Sequence, residues 1–212
     1  MQIAIFANGP IADYRFIGGI ISKSANIIAC DGGCKHTQEL GILPHCIIGD
    51  FDSAPKGLVE EYEDMGIKKI TFPSQKDDTD LALCMAYALS LSPSSIVVFG
   101  ASGGRFDHML ANVHVLTQPL HHGVPTAMHD ESSTIRLLDK ECALYSDKFD
   151  VVSLIPFTEA VHGVSTEGLL YPLSSETLTQ GSTRGVSNII VGKKAIVTIK
   201  SGILIVVQVK GQ

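Results

Sequence analysis

The 212-residue sequence has little of what marks several classes of protein. It contains no tryptophan, and only 18% of its residues are charged. Acidic residues outnumber basic ones by 22 to 16, and the net charge of −6 gives no long-range attraction to nucleic acid or anionic membranes. No apolar segment approaches the length of a membrane span, and Met1–Phe6 lacks the basic region of a signal peptide. We therefore expect a compact cytoplasmic protein that binds neither nucleic acid nor membranes.

Cysteine is also scarce, and its pattern argues against two kinds of structure. The chain has five cysteines, an odd number that does not suit a disulfide framework in a protein without secretory features. Cys30 and Cys34 lack the Cys-x-x-Cys spacing, and no second pair completes a zinc site. All five are predicted to pack as small buried hydrophobic residues.

The first 138 residues alternate between short β-type runs and helical stretches. This alternation predicts an α/β domain over 1–138, with a mostly parallel sheet and helices on both faces. The predicted strands are Ile3–Ala7, Asn26–Ala29, Cys46–Ile48, Lys69–Phe72, Ile96–Phe99 and Thr126–His129. The predicted helices are Arg15–Ser22, Lys35–Leu40, Gly57–Met65, Thr79–Leu91 and Phe106–Leu116.

After about residue 139 the helical periodicity stops and β-type runs separated by turn residues take over. Several short strands at near-regular spacing predict an all-β sandwich domain over 139–212. The predicted strands are Ala143–Tyr145, Val151–Ile155, Leu169–Leu173, Asn188–Val191, Ala195–Ile199 and Leu204–Val209.

Seven of the 22 acidic residues lie in four short stretches, each after an apolar run and before a helical pattern. The stretches are Asp31–Gly33, Gly49–Ser53, Lys76–Asp80 and Gly103–His108. In a parallel α/β sheet such positions meet at the carboxyl edge of the strands, where ligands bind. Carboxylates gathered there repel one another unless a cation joins them. The pattern therefore indicates Mg²⁺, whose usual partner in such a cleft is a polyphosphate.

Each stretch also has an ordinary structural explanation when it is taken alone. Asp50 and Asp52 project to the same side of an extended segment and suit chelation, but acids and serine are also common in turns. Asp77–Asp80 can cap a helix, although three acids in four residues exceed what capping requires. Lys76 beside them offers a cation for phosphate.

The glycine-rich loop at residues 100–104 runs into a helix that begins near Arg105. Such loops hold phosphate with backbone N–H groups, and Arg105 can bind phosphate oxygens with two parallel hydrogen bonds. The loop matches neither the Walker pattern nor Gly-x-Gly-x-x-Gly, so it does not identify a nucleotide-binding family by itself.

Taken in order, the four acidic stretches and the later Ser187-Asn188 pair resemble thiamine pyrophosphokinase of the bacterial type. The resemblance covers nearly the whole chain, including the order of an α/β domain and a β domain. It implies transfer of the terminal diphosphate of ATP to the hydroxyl of thiamine, which gives thiamine diphosphate and AMP. It also implies a homodimer with ATP in the N-terminal domain. Thiamine would lie at the subunit interface, against the β domain of the partner chain.

The resemblance implies roles for individual residues of the first domain. Mg²⁺ would be held by Asp50, Asp52 and Asp80, and these three residues with Arg105 would form the catalytic set. Catalysis would consist chiefly of positioning and of neutralising the charge that builds on phosphate oxygens. Asp52 and Asp80 both remain candidates for accepting the hydroxyl proton. The nucleotide contacts implied are Asp31, Lys76, Asp77, Thr79, Arg105 and Asp107.

The vitamin pocket is the point at which the sequence departs from part of the family. Ser187 and Asn188 match the family's thiamine-facing segment. Some members stack the vitamin on a tryptophan, which this chain lacks. Tyr171 or another apolar side chain is expected to take that place.

Two alternatives belong to other functional classes. Asp50-Phe51-Asp52 after a strand resembles the nucleophile motif of haloacid-dehalogenase-like phosphatases, which are Mg²⁺-dependent. That motif normally follows the first strand and continues with Thr or Val where this chain has Ala54. The other alternative is a non-catalytic nucleotide-binding sensor, although a binder has little reason to gather so many repelling carboxylates.

Overall fold

The computed structural model describes residues 1–23, 25–73, 75, 77–146 and 150–211. The chain forms two compact units, Met1–Glu131 (unit 1) and Ser132–Gln212 (unit 2). Unit 1 alternates strands and helices as predicted, and a short 3-10 helix, Tyr14–Gly19, follows its first strand. Its strands are β1 (Gln2–Phe6), β2 (Asn26–Cys30), β3 (Cys46–Gly49), β4 (Lys68–Thr71), β5 (Ser95–Phe99) and β6 (Thr126–His129). Its helices are α1 (Cys34–Glu39), α2 (Leu58–Asp64), α3 (Asp80–Ser90), α4 (Phe106–Val115) and α5 (Thr117–His121).

The strands of unit 1 pair in parallel in the order β6-β5-β1-β2-β3-β4. From β1 the chain moves outward through β2, β3 and β4 on one side, and β5 and β6 lie on the other side. The direction of winding therefore switches between β1 and β5. At such a switch point the loops beyond the carboxyl ends of the strands diverge and leave a crevice for ligands.

Side chains on both faces of the unit 1 sheet are buried. Alternate residues of a strand point to opposite faces. Ala4 and Phe6 join a buried cluster with Ile17 of the 3-10 helix, and Ile3 and Ile5 are also fully buried. The third strand is apolar along its length, and so is the second after its first residue, Asn26, because a parallel sheet is covered on both faces. None of the helices within the described residues is long and apolar enough to cross a membrane.

Unit 2 consists of antiparallel strands, as predicted for the second half of the chain. Two sheets form, in the orders β12-β9-β14-β7 and β11-β10-β13-β8. Leu154, Leu204 and Val206 of the first sheet and Leu144 and Val197 of the second share one buried cluster, which is how a sandwich is held together. The strands are β7 (Ser133–Leu138), β8 (Glu141–Tyr145), β9 (Val151–Pro156), β10 (Ala160–Glu167), β11 (Glu176–Thr179), β12 (Asn188–Ile189), β13 (Lys194–Thr198) and β14 (Leu204–Val209).

The units meet between Glu131 and Ser132, earlier than the boundary at 138/139 predicted from the sequence. The reason is β7, which is absent from the sequence prediction and pairs along its whole length with β14 of unit 2. β10 and β11 are also absent from it. The predicted strand Leu169–Leu173 is wrong, because this segment is a loop with a single bridge between Leu169 and Ile190.

The cysteines pack as predicted, as small apolar residues. All five are free, and four of them are buried. Cys142 is partly buried and packs against the core of unit 2. Burial raises the pKa of the Cys34 thiol to about 12, so that this thiol stays protonated and unreactive at neutral pH.

Candidate active site

The carboxyl edge of the unit 1 sheet brings two of the acidic stretches together. β2 is followed at once by Asp31, and its parallel neighbour β3 is followed by Asp50. The two acids therefore leave the sheet side by side. Asp31, Asp50 and Asp52, here called the acidic cluster, have carboxylate oxygens within 4.8 Å of one another.

Asp31 is the buried member of the acidic cluster. Only 5% of it is exposed, and its backbone has a φ of 49°, which non-glycine residues rarely adopt. Its Oδ1 atom is enclosed and has no hydrogen-bond partner among the described residues. Burial raises the pKa of Asp31, hydrogen bonds from Gly32 and Ser53 oppose the rise, and the charges of Asp80 and Asp52 add to it. An enclosed carboxylate oxygen without a donor, beside charges of the same sign, is suited to bind a cation.

The approach of Asp31 to the end of β3 depends on Gly49. A Cβ atom added at Gly49 would lie 2.9 Å from the Cβ of Asp31, closer than real Cβ contacts. Any side chain at this position would push the two strand ends apart. Gly49 therefore allows the carboxylates of the acidic cluster to lie close together.

Asp50 and Asp52 are brought together by a sharp turn at Phe51, whose φ is 64°. The backbone N–H of Asp52 lies 3.3 Å from Oδ1 of Asp50, and the Ser53 hydroxyl donates to Oδ1 of Asp52 at 2.8 Å. Asp50 is half-buried and Asp52 is exposed. The cluster thus runs from the sheet edge to solvent, as a site open to a dissolved ligand must.

The stretch before α3 places its acids in different roles. The Oγ1 atom of Thr79 accepts a hydrogen bond from the backbone N–H of Ala82 at 3.3 Å, so Thr79 caps the helix. The residue that caps α3 is therefore Thr79 and not one of the neighbouring acids. Asp80 is the first residue of α3 and is half-buried, and Asp77 is exposed. Lys76 lies outside the described residues.

The acidic cluster differs in one member from the metal set that the resemblance implies. Asp50 and Asp52 belong to both. The third member is Asp31, expected as a nucleotide contact, because it follows β2 at once, whereas Asp80 comes nine residues after the end of β4, the other neighbour of β3. Asp80 acts on Asp31 through its charge but is not one of the three clustered carboxylates.

Arg105 and Asp107 form an exposed ion pair at the start of α4. Nε of Arg105 donates to Oδ1 of Asp107 at 3.1 Å, and Nη2 donates to Oδ2 at 2.5 Å. The hydrogen bonding from Arg105 lowers the pKa of Asp107 to about 2. The side chains are 72% and 64% exposed. Arg105 is thus already oriented by a neighbour while remaining open to a ligand.

The acidic cluster follows β2 and β3, which are two and three places from β5 in the sheet, and Arg105 comes six residues after the end of β5. At about 4.8 Å between parallel strands, the ends of these strands are about 10 to 14 Å from the end of β5 along the edge. A single ligand that spans these strand ends must be extended along the edge. A nucleotide with its polyphosphate has that form.

The loop after β1 lies at the switch point, and none of its residues is among the site residues predicted from the sequence. Nζ of Lys35 donates to both the backbone oxygen and Oδ1 of Asn8, each at 2.7 Å. Nε2 of the buried His36 lies 2.8 Å from the carbonyl oxygen of Gly9, and the Gly9 N–H donates to the carbonyl of Gly100 at 2.7 Å. These bonds tie the loop to α1 and to the loop after β5. The available signal was an Asn-Gly-Pro turn directly after a strand.

In unit 2 the side chain of Asn188 is buried and bonded to backbone. Its Oδ1 accepts from the N–H groups of Tyr171 at 3.0 Å and Ile189 at 2.9 Å, and its Nδ2 donates to the carbonyl of Tyr171 at 2.7 Å. Tyr171 itself is 65% exposed. Asn188 therefore fixes the backbone that presents the Tyr171 ring. Ser187 beside it is exposed, with a φ of 59°.

Comparison with known proteins agrees with this division into two units. The thiamin pyrophosphokinase catalytic domain matches residues 18–128, and the thiamin pyrophosphokinase vitamin B1 binding domain matches residues 138–204. The thiamine pyrophosphokinase of Bacillus subtilis strain 168 is 31% identical over 217 residues, which cover 97% of each chain.

Solved structures give the same result for the fold. The crystal structure of thiamine pyrophosphokinase from Bacillus subtilis matches with a TM-score of 0.90 and 29% identity over 100% of both chains. That of thiamin pyrophosphokinase from Geobacillus thermodenitrificans matches with a TM-score of 0.87 and 27% identity, over 100% of this chain and 99% of the other. The chain belongs to the thiamine pyrophosphokinase family.

Proposed function

We propose that this chain transfers a diphosphate group from ATP to the hydroxyl of thiamine, giving thiamine diphosphate and AMP. The observation that carries the proposal is the acidic cluster at the carboxyl edge of the unit 1 sheet, in a chain whose two units match the two domains of the family. Such an edge is where parallel α/β sheets bind phosphate-bearing ligands.

Mg²⁺ fits the acidic cluster by the chemistry of its donors. Mg²⁺ prefers hard oxygen ligands and is usually held by one or two carboxylates together with substrate phosphates. Asp31, Asp50 and Asp52 would hold it, and the enclosed Oδ1 of Asp31 would gain the partner it lacks among the described residues. Asp80 adds negative charge nearby. When bound, Mg²⁺ would neutralise charge on the phosphate oxygens.

The chain's own residues would position ATP and accept a proton. Arg105 would bind phosphate oxygens beyond the end of β5, where its paired and exposed guanidinium can exchange partners. Asp52 and Asp80 remain the candidates for taking the proton from the thiamine hydroxyl. The further nucleotide contacts at Lys76, Asp77, Thr79 and Asp107 stay predictions.

Thiamine would bind against unit 2, and Tyr171 would provide the aromatic face that the missing tryptophan supplies in some relatives. Asn188 would act by holding the backbone of Tyr171, and the role of Ser187 stays a prediction. Homodimer formation is supported by exposed apolar side chains on adjacent segments of unit 2, a surface that a second copy would cover. These side chains are Leu170, Tyr171, Val186, Ile189 and Val191. The cytoplasmic location also stays a prediction.

Neither alternative function is favoured. A haloacid-dehalogenase-like phosphatase carries its nucleophile after the first strand, whereas Asp50 follows the third strand of unit 1. A non-catalytic sensor does not account for matches to both a catalytic and a vitamin-binding domain.

The test is to incubate the purified chain with ATP, Mg²⁺ and thiamine and to separate the products by chromatography. We expect AMP and thiamine diphosphate in equal amounts, with no product when Mg²⁺ is removed by EDTA. Formation of ADP with thiamine monophosphate would contradict transfer of a diphosphate in one step. ATP binding without turnover would favour the sensor instead.

A further inference from the structure

Arg136 has an unusual position in unit 2. It lies in the middle of β7 and pairs with Val206 of β14. Paired residues share a face of a sheet, and so do alternate residues of one strand. Arg136 therefore shares its face with the buried core residues Leu138 and Leu204 on one side and with the buried Gln208 on the other. A guanidinium group is thus placed at the edge of an apolar interior.

Hydrogen bonds satisfy only a small part of this guanidinium. Its Nε atom is enclosed and has no partner among the described residues. Its Nη2 donates to Oε1 of Gln208 at 3.4 Å, a long contact for a hydrogen bond. The amide of Gln208 is anchored in turn, because its Nε2 donates to the carbonyl oxygen of Tyr145 at 3.3 Å. Arg136 as a whole residue is partly exposed, although its Nε atom is enclosed.

The described part of unit 2 offers this positive charge no counter-ion. Arg136 takes part in none of the ion pairs found among the described residues. Cys142 lies close enough to act on it electrostatically, but burial raises the pKa of that thiol to about 11 and keeps it neutral at pH 7. Loss of hydration on burial lowers the pKa of Arg136, yet an arginine remains charged in proteins.

We propose that Arg136, oriented by Gln208, binds a small oxyanion of the phosphate type in unit 2. This proposal does not depend on the proposed diphosphate transfer. An aliphatic residue would pack at this position without the cost of removing a charge from water. The guanidinium is therefore best explained by a ligand that it recognises. Its planar donors match phosphate oxygens, and such charge-assisted hydrogen bonds are stronger than neutral ones.

The test measures phosphate binding to the full chain by titration calorimetry, at constant ionic strength in a phosphate-free buffer containing EDTA. Without a divalent ion the acidic cluster repels phosphate, which disfavours binding in unit 1. The variants are Arg136→Met, which removes the charge, and Arg136→Lys, which keeps the charge but loses the planar donors. The matched control is Arg184→Met, because Arg184 is exposed and already bonded to Glu176 at 2.8 Å.

We expect Arg136→Met to bind phosphate roughly tenfold more weakly or worse, since it loses hydrogen bonds to a charged group. Arg136→Lys should fall between Arg136→Met and wild type, and Arg184→Met should bind as wild type does. In thermal unfolding without phosphate, Arg136→Met should melt at the same or a higher temperature than wild type. Added phosphate should reverse this order by stabilising wild type alone.

A parallel titration with thiamine diphosphate identifies the source of the anion. Loss of affinity for inorganic phosphate in Arg136→Met supports a site for the free ion, and loss for thiamine diphosphate alone supports a phosphate group carried on the vitamin. Unchanged affinity for both overturns the proposal. So does a variant that is unfolded or clearly less stable without phosphate, because Arg136 would then be structural. Synthesis of thiamine diphosphate is assayed separately, so failure of the proposed function is a distinct result.

Discussion

Each of the two units contains a charged side chain with a buried atom that has no hydrogen-bond partner among the described residues, and the two side chains have opposite charges. Among the described residues, two buried side-chain polar atoms lack a hydrogen-bond partner, and each unit contains one of them. In unit 1 it is an acceptor, Oδ1 of Asp31, surrounded by further carboxylates. In unit 2 it is a donor, Nε of Arg136, with no acid paired to it in the described part of the chain. Folded proteins satisfy nearly all such groups, so the exceptions point to where ions of each sign would bind.

The largest effect is expected for a change in the acidic cluster of unit 1. Asp52→Asn should lower the rate of diphosphate transfer roughly a hundred- to a thousandfold, because on the proposed role it removes an exposed charge that would help hold the cation. The fold should persist, since Asp52 is exposed. Initial rates and circular dichroism measure the two outcomes. The control is Asp64→Asn, an exposed acid at the end of α2 and outside the cluster. Near-normal turnover of Asp52→Asn would reject the assigned role.

The second prediction is that the buried Asp31 carboxylate destabilises the metal-free protein and that a bound cation removes this destabilisation. Asp31→Asn should raise the melting temperature of the metal-free protein, because an amide can donate to the neighbouring carboxylates. At a Mg²⁺ concentration about a hundredfold above its dissociation constant, wild type should gain about 2.7 kcal/mol in the free energy of unfolding, and the variant much less. Thermal melts with and without Mg²⁺ measure both changes. A variant that is less stable without metal would show that Asp31 is a structural residue.

The third prediction concerns the exposed ring of unit 2. Tyr171→Ala should raise the KM for thiamine by roughly tenfold and change kcat little, because stacking on an aromatic face contributes about 1–3 kcal/mol. Tyr171→Phe keeps the face and should behave as wild type. Steady-state kinetics with varied thiamine at saturating ATP separate the two parameters. Equal KM values for the Ala and Phe variants would remove Tyr171 from the pocket.

The smallest effect is expected at a buried polar group whose partners are complete. His36 lies within 2.7 Å of the Tyr14 hydroxyl and 2.8 Å of the Gly9 carbonyl, and burial lowers its pKa. The unfolded chain therefore binds a proton more readily than the folded protein does. The contribution of His36 to the stability of the fold is fully present above the ordinary histidine pKa of about 6.5. It is lost as the pH falls from there toward the lowered pKa of the folded state.

Removing the imidazole should flatten this dependence. His36→Gln should show a shallower fall in unfolding free energy below about pH 6.5 than wild type does. Urea unfolding across the acidic range measures the slope, with the exposed His122→Gln as the control. An unchanged slope in His36→Gln would mean that other groups govern stability in this range.

The parallel sheet of unit 1 could be predicted because its strands are short apolar runs with helical stretches between them. Several strands of unit 2 could not. β10 contains Gly163, with a φ of 67°, where the pairing with β11 shifts register between Val161 and Val164. The bulge breaks the alternation that marks a strand. The apolar run at 169–173 led to the opposite error, a predicted strand that does not form. Leu169 and Leu173 belong to a loop, although their side chains are buried.

The candidate sites show the same division. Asp31, Asp50 and Asp52 could be found because acids directly after apolar runs indicate strand ends. That Asp31 and not Asp80 would complete the cluster depends on the path of the backbone after β2 and β4, which both lie beside β3, and that path is not visible in the sequence. Arg136 carries no motif. Arg136 becomes a candidate only through the register of β7 with β14, because this register places its side chain on the buried face of the sheet.

The Arg105–Asp107 pair has a kinetic consequence for an incoming phosphate. On its proposed role, the guanidinium would swap one anionic partner for another and would not be frozen from a freely rotating state. Capture of ATP would then forfeit little rotational freedom of the side chain. The displaced carboxylate would stay beside the arginine and compete for it, which would speed departure of the spent nucleotide.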